Sequence, residues 1–222
     1  MAERVKLNPE NPHVKRLFEL SDQIRNGAVL LFPTDSRYAL GCDYKNKKGI
    51  ERIRRIRQMG DDDHLSILCA SMSNVATFAH VSDRNFKLIK RLIPGPFTFI
   101  LPATKEVPKL LVHPRKKTVG IRVPEYPICE GLVRETGRPM LAITAKKEGL
   151  GDEDLPDFER EPFLREFEKL VDVIIDNQQE LPTRETTIVD LTGESPVLLR
   201  RGLGIEEAEE VFRMQGEELE EA

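Results

Sequence analysis

Val29-Leu30-Leu31-Phe32-Pro33-Thr34-Asp35-Ser36-Arg37-Tyr38-Ala39-Leu40-Gly41-Cys42-Asp43 sets the reading of the whole chain. Four consecutive apolar residues, Val29 to Phe32, read as a buried strand. Pro33 removes a backbone donor and stops regular pairing there. Thr34, Asp35, Ser36, Arg37 and Tyr38 follow, five side chains that hydrogen-bond or carry charge. A second apolar run, Ala39 to Cys42, begins at once. A simple hairpin would turn on Asn-Gly or Asp-Gly. This turn carries side chains able to grip a polar ligand, or able only to satisfy their own backbone.

Outward from this stretch, strands and helices alternate, which argues for one α/β domain. The expected strands are Leu65–Cys69, Phe97–Leu101, Thr118–Val123, Met140–Thr144, Val171–Ile175, Thr186–Leu191 and Val197–Arg200. Helices are expected over Gly49–Met59, Ile128–Glu135, Glu161–Leu170 and Ile205–Met214. Two more start near Ser71 and Asp83, both good N-caps. A first helix places Val14, Leu17, Phe18 and Ile24 on one face and stops at Gly27. Gly60 to Asp63 reads as a turn, and Gly149 to Asp157 as an acidic loop. The domain is expected to span residues 7–205. Residues 206–222 would form an acidic helix and tail, the last eight or so without order.

The 222 residues are 39% hydrophobic and 32% charged, with a net charge of −4. That composition suits a water-soluble globular chain with a sizeable core. Residues 205–222 hold eight Glu and one Arg, so the rest of the chain is mildly basic. Basic clusters at Lys45/Lys47/Lys48, Arg52/Arg54/Arg55/Arg57, Lys87/Lys90/Arg91, Arg115/Lys116/Lys117 and Lys146/Lys147 suit a polyphosphate or RNA, or a solvated surface. Cys42, Cys69 and Cys129 lack the spacing of a zinc site and read as reduced core residues. No signal peptide and no stretch of about 20 apolar residues is visible. The expected location is the cytoplasm, with no membrane partner. Nothing in the sequence indicates the oligomeric state.

A polyphosphate site needs cations and donors converging from separate segments. Arg57, Arg122 and Arg200 can supply the charge. Arg122 and Arg200 each end an apolar strand, where ligands of open α/β sheets lie. Thr118, Thr144 and Thr186 add neutral donors, or simply fill strands as β-branched residues. There is no Walker loop and no GxGxxG, so a nucleotide would need another cradle. His64 follows three aspartates, a setting that raises an imidazole pKa, although a turn residue without a role is the simpler reading. His80 and His113 read as surface residues.

Five segments in order carry a resemblance: the Pro33-Thr34-Asp35 loop; Pro94-Gly95-Pro96-Phe97-Thr98-Phe99; Thr118-Val119-Gly120-Ile121-Arg122-Val123-Pro124; Thr186-Thr187-Ile188-Val189-Asp190-Leu191; and Leu198-Leu199-Arg200-Arg201-Gly202. Together they resemble the YrdC/YciO family over roughly residues 7 to 205. The runs Asp35 to Cys42 and His64 to Cys69 look most like its YciO branch. The resemblance implies a twisted, open, mixed α/β sheet with helices packed around it and a concave basic cavity. It implies synthesis of threonylcarbamoyl-adenylate from L-threonine, bicarbonate and ATP with Mg²⁺, releasing pyrophosphate, for modification of tRNA with a partner complex. No tightly bound cofactor and no metal-ligating side chains are implied. Thr34, Arg122 and Thr186 would hold threonine. Arg57, Thr118, Thr144, Lys146 and Arg200 would hold the nucleotide and its phosphates, with Tyr38 and His64 as auxiliary residues.

Two positions depart from the synthase pattern. The Lys-x-Arg that grips phosphate is here Arg57-Gln58-Met59, and Ser-Ala-Asn is here Thr144-Ala145-Lys146. One cation is changed and one lost, and Asp61 to Asp63 add repulsion. Lys146 restores part of the charge. The threonine side therefore looks better kept than the ATP side. Two other readings stay open: a protein that binds tRNA, double-stranded RNA or the ribosome without the full synthase activity, and carbamoyl or nucleotidyl transfer to another acceptor.

Overall fold

The structure is a computed structural model that describes residues 1–60, 65–146, 159–180 and 184–222. Among these residues, strands join into one eleven-stranded mixed sheet. The strands are β1 (Glu3–Lys6), β2 (Leu30–Phe32), β3 (Ala39–Asp43), β4 (Ser66–Leu68), β5 (Phe97–Pro102), β6 (Thr118–Arg122), β7 (Met140–Thr144), β8 (Val173–Asp176), β9 (Thr187–Asp190), β10 (Val197–Arg200) and β11 (Glu220–Glu221). Their spatial order is β1-β8-β2-β3-β7-β4-β6-β5-β9-β10-β11. Pairs β1/β8, β8/β2, β4/β6, β5/β9 and β10/β11 are parallel, and the others antiparallel.

Alternation along the strands sorts side chains onto two faces. Leu31, Leu40, Ile67, Phe99, Ile121, Leu141 and Val189 point to one face. They form the larger core with α2 (Lys47–Ile56), α3 (Met72–Phe78), α4 (Asp83–Leu92), α6 (Arg160–Phe167) and α7 (Ile205–Met214). Leu30, Phe32, Ala39, Met140 and Ala142 point to the other face, under α1 (Val14–Arg25) and α5 (Pro127–Thr136). These two helices cover only part of that face. The rest is a polar cavity, and the functional candidates converge there.

Local chemistry explains several helix ends. Ser71 and Ser82 cap α3 and α4 by accepting from Asn74 N and Asn85 N, so Ser82, not Asp83, is the cap of α4. Asn46 caps α2 by accepting from Gly49 N. Gly137, with φ of 66°, closes α5 in the left-handed region that glycine reaches without strain.

The structure corrects several expectations. On α1 the buried stripe is Leu17, Leu20, Ser21 and Ile24, while Val14 and Phe18 are 62% and 52% exposed. Packing on α5, where Leu17 lies over Gly131, sets this face. The charged segment Glu3–Lys6 is strand β1, paired with β8, although its sequence lacks a strand pattern. The acidic end is ordered through contacts the sequence did not reveal. Glu220 and Glu221 pair with β10. Glu217 is bonded to Arg84, and Glu209 and Glu221 are bonded to Arg201. The tail's acids thus neutralise Arg84 and Arg201. His113 is buried, not at the surface; its Nδ1 accepts from Arg115 N and Lys116 N, which shapes the basic turn before β6. The acidic loop expected over 149–157 lies outside the described residues.

The three cysteines are buried and unbonded to one another. Burial pushes the Cys42 and Cys69 thiols up to about 12. They are inert thiols of the core, as read from the sequence. Among the described residues no helix is long and apolar enough to cross a membrane.

Candidate active site

The cavity on the half-covered face is lined by Ser66, Thr98, Arg122, Thr144, Thr186 and Arg200, with Ala39, Ala142 and Ile188 as its apolar floor. Sheet register explains why these residues meet. Ala142 pairs with Ser66, Ser66 with Gly120, and Gly120 with Ile100. One step along, Thr98 pairs with Ile188, and Ile188 with Arg200. Residues in one row share a face. The floor is low at Gly120, where a Cβ would stand 2.7 Å from Ser66 Oγ.

Arg122 ends β6 and is buried. Its Nη2 is bonded to Asp35 and donates to Ser36 Oγ at 3.0 Å and Thr34 Oγ1 at 3.3 Å. Asp35 also accepts from Glu125 N at 2.9 Å. The Pro33–Tyr38 loop is therefore fastened to the end of β6 by a buried ion pair. Thr34 donates to Arg37 O at 2.7 Å and accepts from Ser36 N, so its hydroxyl organises the loop around Arg122. Arg122 Nε is buried without a hydrogen-bond partner among the described residues. Such an orphan donor is costly unless a ligand or water takes it.

Arg200 ends β10 on the opposite side. It donates from Nε to Thr186 O at 2.9 Å and from Nη2 to Thr186 Oγ1 at 2.8 Å. Its Nη1 is bonded to Glu185. Thr186 Oγ1 also lies 3.1 Å from Thr98 Oγ1. The other Glu185 oxygen pairs with Lys146 Nζ at 3.1 Å. Gly202 lets these segments touch: a Cβ there would stand 2.4 Å from Glu185 O and Thr186 O.

Desolvation sets the electrostatics. Burial lowers the pKa of Lys146 most; Glu185 opposes this, and the charges of Arg57 and Arg200 lower it further. Burial likewise lowers Arg200 and Arg37, each again opposed by Glu185. Arg37 Nε, like Arg122 Nε, is buried without a hydrogen-bond partner among the described residues. Cations that converge on one carboxylate, as Arg200 and Lys146 do on Glu185 among the described residues, can make a site for an anion.

The remaining expected residues divide. Arg57 closes α2 and stands near enough to Lys146 to lower its pKa. Met59 packs against the core and not as a phosphate ligand. Thr118 is buried with its hydroxyl unpartnered among the described residues, at the start of β6 while Arg122 is at its end. Gln58 and Lys117, left-handed at φ of 49° and 57°, adjoin Arg57 and Thr118; such strain gathers at functional sites. Tyr38 does not join the cavity. Its ring contacts Phe163 and its hydroxyl donates to Asn177 Oδ1 at 2.8 Å, because neighbouring Ala39 takes the cavity-facing place on the strand. Burial raises the Tyr38 pKa. Tyr38→Phe is expected to lose about 1 kcal/mol in denaturant unfolding, with ligand binding unchanged. His64 lies outside the described residues.

Sequence reasoning missed Glu185, Ser66 and Thr98 at this cavity, and it singled out Asp35, Ser36 and Arg37 only as part of a loop able to grip a polar ligand. Thr98 was within reach, since Phe97 and Phe99 claim the core face and leave Thr98 for the other. Glu185 gave no periodic signal, for it precedes β9 in a polar run.

Comparison with known proteins places the chain in a family. The Sua5/yciO/yrdC family model, described as telomere recombination, matches residues 22–202. The YciO protein of Escherichia coli, described as uncharacterized, is 37% identical over 204 residues, 92% of this chain and 97% of its own length. The crystal structure of E. coli YciO superposes with a TM-score of 0.87, covering 94% of this chain and 99% of that one. The threonylcarbamoyl-AMP synthase of Pyrococcus abyssi is 32% identical over 85% of this chain and 55% of its own. P. abyssi Sua5 complexed with L-threonine superposes over 100% of this chain and 62% of that one, at 27% identity and a TM-score of 0.84. The chain belongs to the Sua5/YciO/YrdC family. It is homologous to threonylcarbamoyl-AMP synthases and similar along nearly its whole length to YciO.

Proposed function

We propose that this protein is an L-threonylcarbamoyladenylate synthase-type enzyme whose phosphate grip differs from that of the synthases. The observation that carries the reading is the cavity where Arg122, with its orphan Nε, faces the Arg200–Thr186 cradle. Similarity to a synthase and to a threonine-bound Sua5 supports the same ligand class.

In this reading Arg122 takes the threonine carboxylate, with Thr34 and Thr186 shaping its berth. Arg200, Lys146, Arg57, Thr118 and Thr144 hold the nucleotide. Magnesium, arriving with ATP as part of the substrate, would offset charge on its phosphates. The neutral threonine amine adds to carbon dioxide with release of a proton, or to bicarbonate with loss of water, to form a carbamate. A carbamate oxygen then attacks the α-phosphorus, and the bond to pyrophosphate breaks. The protein's work is positioning and charge stabilisation. The adenylate passes to a tRNA-modification complex.

Calorimetry tests the substrate assignment. L-Threonine is expected to bind the wild type, and serine, lacking the methyl group, about tenfold or more weakly. Equal affinity for threonine and serine, or no heat with either, would contradict the assignment.

A further inference from the structure

Glu185 stands among the cations read above as the nucleotide site. It is buried, its Oε2 is bonded to Arg200, its Oε1 lies 3.1 Å from Lys146 Nζ, and its charge is felt by Arg37. Arg200, which lines the cavity, and Lys146 therefore share one internal carboxylate, and Arg37 is close enough to sense it. We propose that Glu185 is a specificity-determining residue that sets how many phosphate charges the cavity accepts, favouring ligands with few charges over polyphosphates. The proposal rests on the reading of the cavity as a nucleotide site.

The physical argument is charge counting in a poorly solvated place. A fixed negative charge repels a bound anion in proportion to that anion's charge, and more strongly where water is excluded. A nucleoside monophosphate or adenylate meets one part of this repulsion; pyrophosphate or the tail of ATP meets several. Glu185 also neutralises Arg200 and Lys146 in the empty protein, where unpaired buried cations would be costly. A polyphosphate must compete with this carboxylate for the same donors. Gly202 brings β10 against the backbone of Glu185 and so fixes the carboxylate's place. Met59, in the core instead of the cavity, supplies no compensating cation.

The test measures ATP, AMP and pyrophosphate binding to the whole chain by calorimetry. Glu185→Gln is expected to bind pyrophosphate and ATP about tenfold tighter or more, and AMP changed by less than about threefold. Glu185→Asp, which keeps the charge, should retain the wild-type ATP-to-AMP preference. Glu185→Gln/Lys146→Gln removes the ion pair as a unit and guards against misfolding of the single variant; with Lys146 gone from the phosphate grip it should bind ATP and pyrophosphate more weakly than Glu185→Gln does. A merely structural role for Glu185 would weaken all three ligands alike. If the wild type binds nucleotide and the preference is the same in Glu185→Gln, or shifts equally in Glu185→Asp, this inference is overturned and the synthase reading stands. If the wild type binds none of the three, both are overturned.

Discussion

Arg122→Ala is expected to remove threonine-dependent turnover and to weaken L-threonine binding on the order of 100-fold, the usual scale for truncating one partner of a buried charge pair. The cause is double. The substrate carboxylate loses its cation, and Asp35, its side chain 8% exposed, is left beside buried Thr34 and Ser36 without one. An uncompensated buried carboxylate costs about 3–5 kcal/mol, so the melting temperature should fall too. Stability and binding can be separated. Arg122→Ala/Asp35→Asn removes both charges and is expected to recover most of the stability while threonine still fails to bind. Recovery of binding in the double variant would show that Arg122 serves the loop and not the substrate.

Gly202→Ala is the second large effect. Its new Cβ would stand 2.4 Å from Glu185 O and from Thr186 C and O. These are backbone atoms that cannot swing aside. β10 must move, and with it Arg200, whose Nε and Nη2 bind Thr186. Overpacking of this kind costs about 1–3 kcal/mol. ATP affinity should fall about tenfold or more, since a displacement of an ångström at a positioning group is that expensive. Threonine, anchored through Arg122 on the far side, should fall less. Unchanged ATP affinity with a normal melting temperature would mean that the backbones are not held as close as described.

Much of the fold was legible because its signal is local. Met140–Thr144, Val197–Arg200 and Ile205–Met214 are elements with the ends their periodicity implies. β1 and β11 were not legible, because short charged strands are ordered by their neighbours alone. The α1 face was misread for a related reason: Val14 and Phe18 fit the helical period, but the contact with α5 chose Leu17, Leu20 and Ile24. In the cavity, Arg122 and Arg200 could be singled out as arginines ending apolar strands. Their carboxylate partners could not. Asp35 meets Arg122 across 87 residues and Glu185 meets Arg200 across 15, and no spacing rule carries that information. Tyr38 shows the limit of reading a polar loop as one unit. Alternation turns its side chain into the core while Thr34, Asp35 and Ser36 gather at Arg122.

The central claim is tested most directly by incubating the wild-type protein with ATP, Mg²⁺, L-threonine and ¹³C-bicarbonate, and weighing the nucleotide product. The account predicts an adenylate heavier than AMP by a labelled threonylcarbamoyl group, formed with stoichiometric pyrophosphate and only when threonine is present. Pyrophosphate release indifferent to threonine, or no nucleotide product at high enzyme concentration, would contradict it; the basic cavity would then be a binding site for another anion, RNA included.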